Sequence, residues 1–319
     1  MKSFGFNKYG GPNVFEEVTL PQPTPTKGRV IVKTQAFAMN PYDSKLRQGT
    51  ITFKTTPQFP QIPGSDVAGT VVAIAPDVTE FKIGDSVMGR VVHGAYSEFV
   101  SVPHLKLIPK PKQISFTEAA GVPSAGVTAY DVLKGAVQLE NVTSILVLGA
   151  SGAVGSIVVQ IAKAMGLFVA ATASERNIDF VTQLGTDLVI SSDQLSKRNF
   201  LDHAPVDVLI NATPTKFTPS NGYRLLKSDG QLVSLNGFST SFKVQRETQT
   251  VTDFNDASYH QNKKALVYLA ELLTHNQLHI PVAKVLPFSL AGVVQGQALL
   301  DSHHKPGKIV ISKDFKKTN

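Results

Sequence analysis

SILVLGASGAVGSIVVQIAKAMGLFVAATA, residues 144–173, joins three segments of different character. SILVLGA (144–150) is a continuous apolar run suited to a strand buried on both faces. SIVVQIAKAMG (156–166) carries apolar residues at helical spacing, and LFVAATA (167–173) is a second buried strand. Between the first strand and the helix lie Gly149, Gly152 and Gly155, spaced G-x-x-G-x-x-G. Glycines at such a turn let backbone N–H groups approach a pyrophosphate, and the helix N-terminus adds partial positive charge. Gly149, Ser151, Gly152, Ala153 and Val154 are therefore candidate contacts of a dinucleotide. A hydrolase nucleophile elbow also sits between strand and helix, but it requires G-x-S-x-G. Gly149-Ala150-Ser151 starts that pattern, yet Gly152 stands fourth and Ala153 fifth. The register is wrong for an elbow, which makes Ser151 a phosphate hydrogen-bond donor rather than a nucleophile.

Working outward, strands and helices keep alternating. IDFVTQLG (178–185) is helical, and DLVIS (187–191), VDVLINAT (206–213) and GQLVSLNG (230–237) supply further strands. Apolar strands separated by helices imply a parallel sheet covered on both faces. Gly166 and Gly185 stand where helix C-caps belong. Before this region the chain reads as β-rich, with short apolar runs at Val30–Lys33, Val67–Ala75 and Phe99–Val102 between turn signals. FTEAAGVPSAGVTAYDVL (116–133) is Ala-rich with helical spacing, as are residues 262–276, and the final stretch reads strand, helix, strand. Residues 239–261 are polar, show no period, and suit a mobile loop near a site.

The expected organisation is α/β: a β-rich first part (1–118), a doubly wound parallel-sheet dinucleotide-binding domain (119–261), and a C-terminal segment (262–319) whose helix could belong to the dinucleotide-binding domain before the chain returns to the first part. Cysteine is absent, which excludes disulfides, thiolate metal sites and a cysteine nucleophile. The net charge of +7 is scattered without interleaved aromatics, so a solvated basic surface is expected rather than a nucleic-acid site. The apolar stretch Ile157–Ala173 is interrupted by Gln160 and Lys163 and divided by Gly166, which favours a buried helix and strand over a membrane span. MKSFGFNKYGGPNVF has no apolar core of a signal peptide, so a cytoplasmic location is expected.

An acidic residue near the end of the second strand holds the ribose 2′-OH of NAD. Here that strand runs into Ser174-Glu175-Arg176. A hydroxyl and a guanidinium suit a 2′-phosphate, which favours NADPH. Glu175 could serve NAD, Ser174 could simply cap the next helix, and Arg176 could be a solvated first-turn residue.

Several in-order motifs, MKSFGFNKYGGPNVFE, MNPYDSKLRQG (39–49), PGSDVAGTVVAIAPDVTEFKIGDSVMG (63–89), GAYSEFV (94–100), AAGVPSAGVTAYDVL (119–133), VLGASGAVG and GKIVIS (307–312), resemble the zinc-independent quinone oxidoreductase and enone reductase branch of the medium-chain dehydrogenase/reductase superfamily. The resemblance implies a GroES-like catalytic domain beside a Rossmann domain, with nicotinamide in the cleft between them. It also implies hydride transfer from NADPH to a quinone or an α,β-unsaturated carbonyl, in a homodimer whose edge strands pair across a two-fold axis. GQLVSLNG leads into a region that could form such an edge.

Zinc-bearing relatives place a Cys where MNPYDSK begins and Gly-His-Glu where this chain has Gly64-Ser65-Asp66, so no catalytic zinc is expected. Residue by residue, the resemblance puts Asn40 beside the nicotinamide ribose, Thr128 near the nicotinamide, Ser174 and Arg176 on the 2′-phosphate, and Phe238 beside the nicotinamide pocket. Ser192 departs from a branch that has Tyr near the adenine. Hydride transfer to a conjugated acceptor needs geometry and a donor for the developing oxyanion. Lys45 and Tyr42 are the candidate catalytic donors, with water a third; Lys45 could instead be a surface lysine after a turn. Asp43 could be structural, accepting backbone hydrogen bonds in its loop. His275 and His279 are spaced i, i+4, but they fall at a fraying helix end, and His303-His304 lies in a polar turn; no metal is assigned to either pair. The competing reading is a protein that holds NADPH as a sensor or structural element with little turnover.

Overall fold

The structure, a computed structural model, describes residues 1–52, 57–195, 205–218, 222–244, 247–254, 262–302 and 306–316. The chain forms two compact units: Met1–Ser124 with Asn262–Thr274 and Ile280–Asn319, and Ala125–Gln261 with His275–His279.

The first unit begins with β1 (Lys2–Gly5) antiparallel to β2 (Glu16–Thr19). β3 (Arg29–Met39) is longer than the apolar run at its start suggests, because Phe37, Ala38 and Met39 are buried as well. It pairs antiparallel with β4 (Asp66–Ile74), and β4 pairs with β5 (Ser86–Arg90). β6 (Phe99–Pro103) covers the first half of β3, and β7 (Leu107–Pro109) borders β5.

Between β3 and β4 the structure corrects the expectation of a turn or loop around Lys45 and Asp43. Pro41–Gln48 is a helix, α1. No apolar period announces it; its ends specify it instead. Asn40 is the N-cap residue, Pro41 fills the first helical position, and Asp43 accepts the Asn40 N–H. Gly49, at φ 71°, terminates it. The Ala-rich helical stretch is two helices, α2 (Phe116–Gly121) and α3 (Pro123–Asp131), because Pro123 lacks the N–H needed to continue α2.

The second unit holds β8 (Ser144–Leu148), α4 (Ala153–Ala164), β9 (Phe168–Ala173), α5 (Ile178–Gln183), β10 (Leu188–Ser191), α6 (Ser192–Leu195), β11 (Val206–Asn211), β12 (Leu226–Ser234) and β13 (Thr250–Asp253). The six strands are parallel, in the order β10-β9-β8-β11-β12-β13. The order runs outward in both directions from the β8–β11 boundary, which is the doubly wound arrangement, and ligands bind such sheets beyond the strand C-termini at that boundary. Gly166 (φ 79°) and Gly185 (φ 89°) end α4 and α5 as expected. The polar segment 239–261 is not simply a loop: it contains β13, which pairs with β12 at the sheet edge. Residues 255–261 of that segment lie outside the described residues.

The chain then returns to the first unit with α7 (Asn262–Thr274), β14 (Val282–Pro287), α8 (Leu290–Leu300) and β15 (Lys308–Ser312). β15 is parallel to β14 and antiparallel to the second half of β3, completing a seven-stranded sheet. A core of Phe4, Phe6, Phe37, Tyr96, Val67 and Ile311 fills this unit, while Leu146, Leu209, Phe217 and Leu232 anchor the core of the other. Since α7 ends at Thr274, His275 and His279 do not share a helical face. His303-His304 lies outside the described residues. Among the described residues no helix is long and apolar enough to cross a membrane.

Candidate active site

The glycine turn between β8 and α4 is shaped by close backbone approach. Gly149 has φ 76°, and a Cβ there would lie 3.0 Å from the Thr213 nitrogen in the loop after β11. A Cβ on Gly155 would lie 2.3 Å from the Gly149 carbonyl oxygen, so this glycine brings α4 against the turn. Gly152 caps α4 and has no side chain to accept from the first turn. The first-turn N–H groups, those of Ala153 and Val154 among them, can therefore serve an anion. Gly149 donates to Thr172 Oγ1 (3.2 Å) and Ala150 to the Thr172 carbonyl (3.2 Å), tying the turn to β9. Asn177 donates to Ser151 Oγ at 3.2 Å. The backbone cradle fits a pyrophosphate.

At the tip of β9, Ser174, Glu175 and Arg176 are all exposed. Ser174 precedes a short 3-10 turn, Glu175–Asn177, but its hydroxyl makes no capping hydrogen bond. The capping role considered for Ser174 is thus not what its side chain does. Ser192, the first residue of α6, is exposed.

In the first unit α1 sits on a buried polar network. Asp43 is 1% exposed; it accepts from the Asn40 N–H (2.9 Å), the Tyr96 hydroxyl (3.1 Å) and the Gly64 N–H (3.2 Å). That is the structural role considered for it. Burial pushes its carboxyl up to about 6 against these donors, with the Asp66 charge adding to the rise. Burial first, then the Asp43 charge, likewise raises the Tyr96 phenol well above its ordinary value. Gln297 donates to Tyr96 Oη (3.0 Å) and accepts from Arg47 Nε (3.0 Å); Arg47, wholly buried, pairs with Asp301 at 2.5 Å.

On the other side of Asn40, its Nδ2 donates to Ser65 Oγ (3.2 Å) and Asp66 Oδ2 (3.0 Å), and its Oδ1 accepts from Lys308 Nζ at 2.5 Å. Lys308 and Asp66 form an ion pair at 3.3 Å, with side chains 4% and 0% exposed. Ser124 closes the cluster through its N–H to Asp66 Oδ1 (2.8 Å) and its hydroxyl to Ser65 Oγ (3.0 Å). Both amide hydrogens of Asn40 are thus committed within the network, which fixes the carboxamide and leaves only Oδ1 capacity for a further ligand.

Tyr42 and Lys45 stand together on the exposed stripe of α1, while Asp43, Ser44, Leu46 and Arg47 face inward. Thr128 is half-buried in α3. Phe238 bridges by backbone to Phe217 and stacks on Phe242 with ring centroids 4.7 Å apart, so it belongs to an aromatic cluster of the second unit. Among the described residues no three His, Asp or Glu side chains group as metal ligands.

Residues 26–112 match the family described as alcohol dehydrogenase GroES-like domain, and residues 153–258 match that described as zinc-binding dehydrogenase. The NADPH-dependent alkenal/one oxidoreductase of Arabidopsis thaliana is 32% identical over 98% of this chain and 79% of its own length. The chain belongs to the medium-chain dehydrogenase/reductase superfamily. Within it the chain falls in the quinone and enone oxidoreductase branch. The chloroplast envelope quinone oxidoreductase homolog of Arabidopsis thaliana is 38% identical, but the chain matches only 60% of that protein's length. The quinone oxidoreductase of Coxiella burnetii has the same fold, with a TM-score of 0.81, 29% identity, and 98% of this chain and 99% of that one covered.

This superfamily binds nicotinamide dinucleotides, and the Gly149–Val154 turn lies at the C-terminal end of β8, next to the β8–β11 boundary. Sequence reasoning did not bring out the ties of Thr172 and Asn177 to the glycine turn in the second unit, nor the Asp66–Lys308 ion pair beside Asn40 in the first. Only Lys308 had a visible signal, a lysine inside the otherwise apolar GKIVIS strand.

Proposed function

We propose that this protein is a zinc-free reductase that uses NADPH to reduce a quinone or an α,β-unsaturated carbonyl. The observation that carries the reading is the Lys308 ammonium seated between Asn40 Oδ1 and Asp66 Oδ2, beside Ser65. By the family resemblance, Asn40 and Ser65 stand where zinc-bearing relatives have a Cys and a His. Here the donor set has no thiolate and no imidazole, and a fixed cation already neutralises the carboxylate, so the residues do not suit zinc. Without a Lewis acid, reduction of an isolated carbonyl lacks polarisation of its oxygen, whereas a conjugated acceptor spreads the incoming charge. The names of the relatives, a quinone oxidoreductase and an alkenal/one oxidoreductase, agree with that class.

NADPH, when bound, supplies the hydride. The chain's residues do the rest. Backbone N–H groups of Gly149–Val154 hold the pyrophosphate, and Ser174 with Arg176 grips the 2′-phosphate. Asn40, Thr128 and Phe238 are assigned to the nicotinamide end; Asn40 acts through an orientation fixed by Lys308 and Asp66. Lys45 and Tyr42 donate hydrogen bonds to the enolate or hydroquinone oxygen. The edge strand β13 is assigned to a homodimer contact, which a dimer mass by light scattering would support and a monomer mass would refute.

The test is NADPH oxidation with menadione, methyl vinyl ketone and cyclohexanone. Turnover with either conjugated acceptor and little with cyclohexanone is expected, and Lys45→Met should slow the enone more than the quinone. Faster reduction of cyclohexanone, or oxidation of ethanol in reverse, refutes the proposal.

A further inference from the structure

An exposed aromatic pair begins at the C-terminal end of α1, the helix that carries Tyr42 and Lys45. Tyr42 and Lys45 occupy positions i and i+3 of its exposed stripe, and Gly49 follows at i+7. The ring of Tyr9 lies over Gly49: a Cβ at that glycine would come within 2.7 Å of Tyr9 Cγ. Any other residue at position 49 would displace the ring. The loop carrying Tyr9 is also fastened to α1, because the Gly10 N–H donates to the Arg47 carbonyl (3.0 Å) and Arg47 Nη1 donates to the Gly10 carbonyl (2.5 Å).

Phe59 meets Tyr9 with ring centroids 5.3 Å apart and planes at 67°. Both rings rest on the fully buried Phe6, at 6.5 Å and 6.2 Å, yet Tyr9 and Phe59 remain 40% and 41% exposed. Two rings at that angle form a corner. A flat conjugated ring entering it can stack on one ring while presenting its edge to the face of the other, the two arrangements aromatic pairs favour. An alkyl enone offers a much smaller planar face and no ring edge.

We propose that Tyr9 and Phe59 form a notch that seats the ring of a quinone acceptor and sets the preference for ring-bearing over open-chain acceptors. The proposal rests on the reductase reading above and adds to it the residues that select the acceptor. Tyr9 and Phe59 are positioning residues here, delivering the acceptor's oxygen toward Lys45 and Tyr42.

The experiment compares Tyr9→Leu and Phe59→Leu with the unaltered chain, using menadione and methyl vinyl ketone. The ratio of kcat/KM for menadione to that for methyl vinyl ketone should fall about threefold to tenfold in each variant, the worth of one aromatic pair. The loss should lie in KM for menadione, and Tyr9→Phe should restore it. Equilibrium dialysis of menadione against the NADP⁺-loaded protein reads the notch without turnover. Weaker menadione retention by both Leu variants supports the notch even if the unaltered chain reduces nothing, an outcome that would refute only the reductase reading. Equal retention by all three proteins, or equal losses with both acceptors, overturns the notch.

Discussion

Asp43 is a carboxyl with three hydrogen-bond donors around it and almost no contact with water, so its titration should be legible in stability. Its value in the folded chain, about 6, stands above the ordinary 3.8 because burial disfavours the charge more than the donors favour it. The folded state therefore binds the proton more tightly than the unfolded state over this interval, and stability declines as pH rises through it. The difference of about 2 pH units corresponds to a total of about 3 kcal/mol, of which roughly 2 kcal/mol is lost between about pH 4.5 and about pH 7. Other carboxylates act in the opposite sense: Lys263 and His104 hold Glu80 at about 2, and the Lys227 ammonium and the donors of Thr143 and Ser144 overcome burial to hold Asp207 well below the usual range. The clean quantity is thus the difference between the unaltered chain and Asp43→Asn. It can be read as the urea midpoint of hydrogen exchange in peptides spanning α1, which reports this unit without requiring two-state unfolding of the whole chain. The advantage of Asp43 over Asn should shrink by that amount as pH rises and then level off. An advantage that stays flat, or that grows with pH, would refute the balance of burial against hydrogen bonding argued for this carboxyl.

Arg176→Ala should weaken NADPH roughly tenfold to a hundredfold and NADH far less, the worth of one charge-assisted hydrogen bond, and equal losses in fluorescence titrations of the two would show that Arg176 does not read the 2′-phosphate. Gly155→Ala places a methyl against the Gly149 carbonyl and should cost about 1–3 kcal/mol in stability together with most of the cofactor affinity; a titration matching the unaltered chain would mean that α4 yields freely. Turnover should survive EDTA, because Lys308 supplies the positive charge beside Asp66; loss of activity restored by added zinc would reverse that assignment.

The parts legible in the sequence are those whose pattern is local. β8, α4 and β9 declare themselves because the apolar period changes from continuous to helical and back around three glycines. α1 hid because it is short and polar, specified by its caps alone. β13, with the sequence TVTD, owes its conformation to pairing with β12 rather than to a pattern of its own. The Lys308–Asn40 contact joins positions 268 residues apart, and no local signal encodes such a separation. The glycine turn between β8 and α4 could therefore be placed in advance, whereas the cluster that fixes Asn40 could not.

That separation has a consequence for synthesis. β3 and β4 leave the ribosome early, carrying Asp66 into a sheet with its carboxylate lacking its cation, and the whole second unit emerges before Lys308 does. Until β15 arrives, half of one edge of β3 is open as well. The parallel-sheet unit can consolidate during elongation, while the β-rich unit waits on the last strand. A nascent chain stalled before β15 would thus display a folded nucleotide-binding body attached to an unfinished sheet with a buried, unbalanced charge. Such a product would carry its incompleteness as an open strand edge and a carboxylate without its cation.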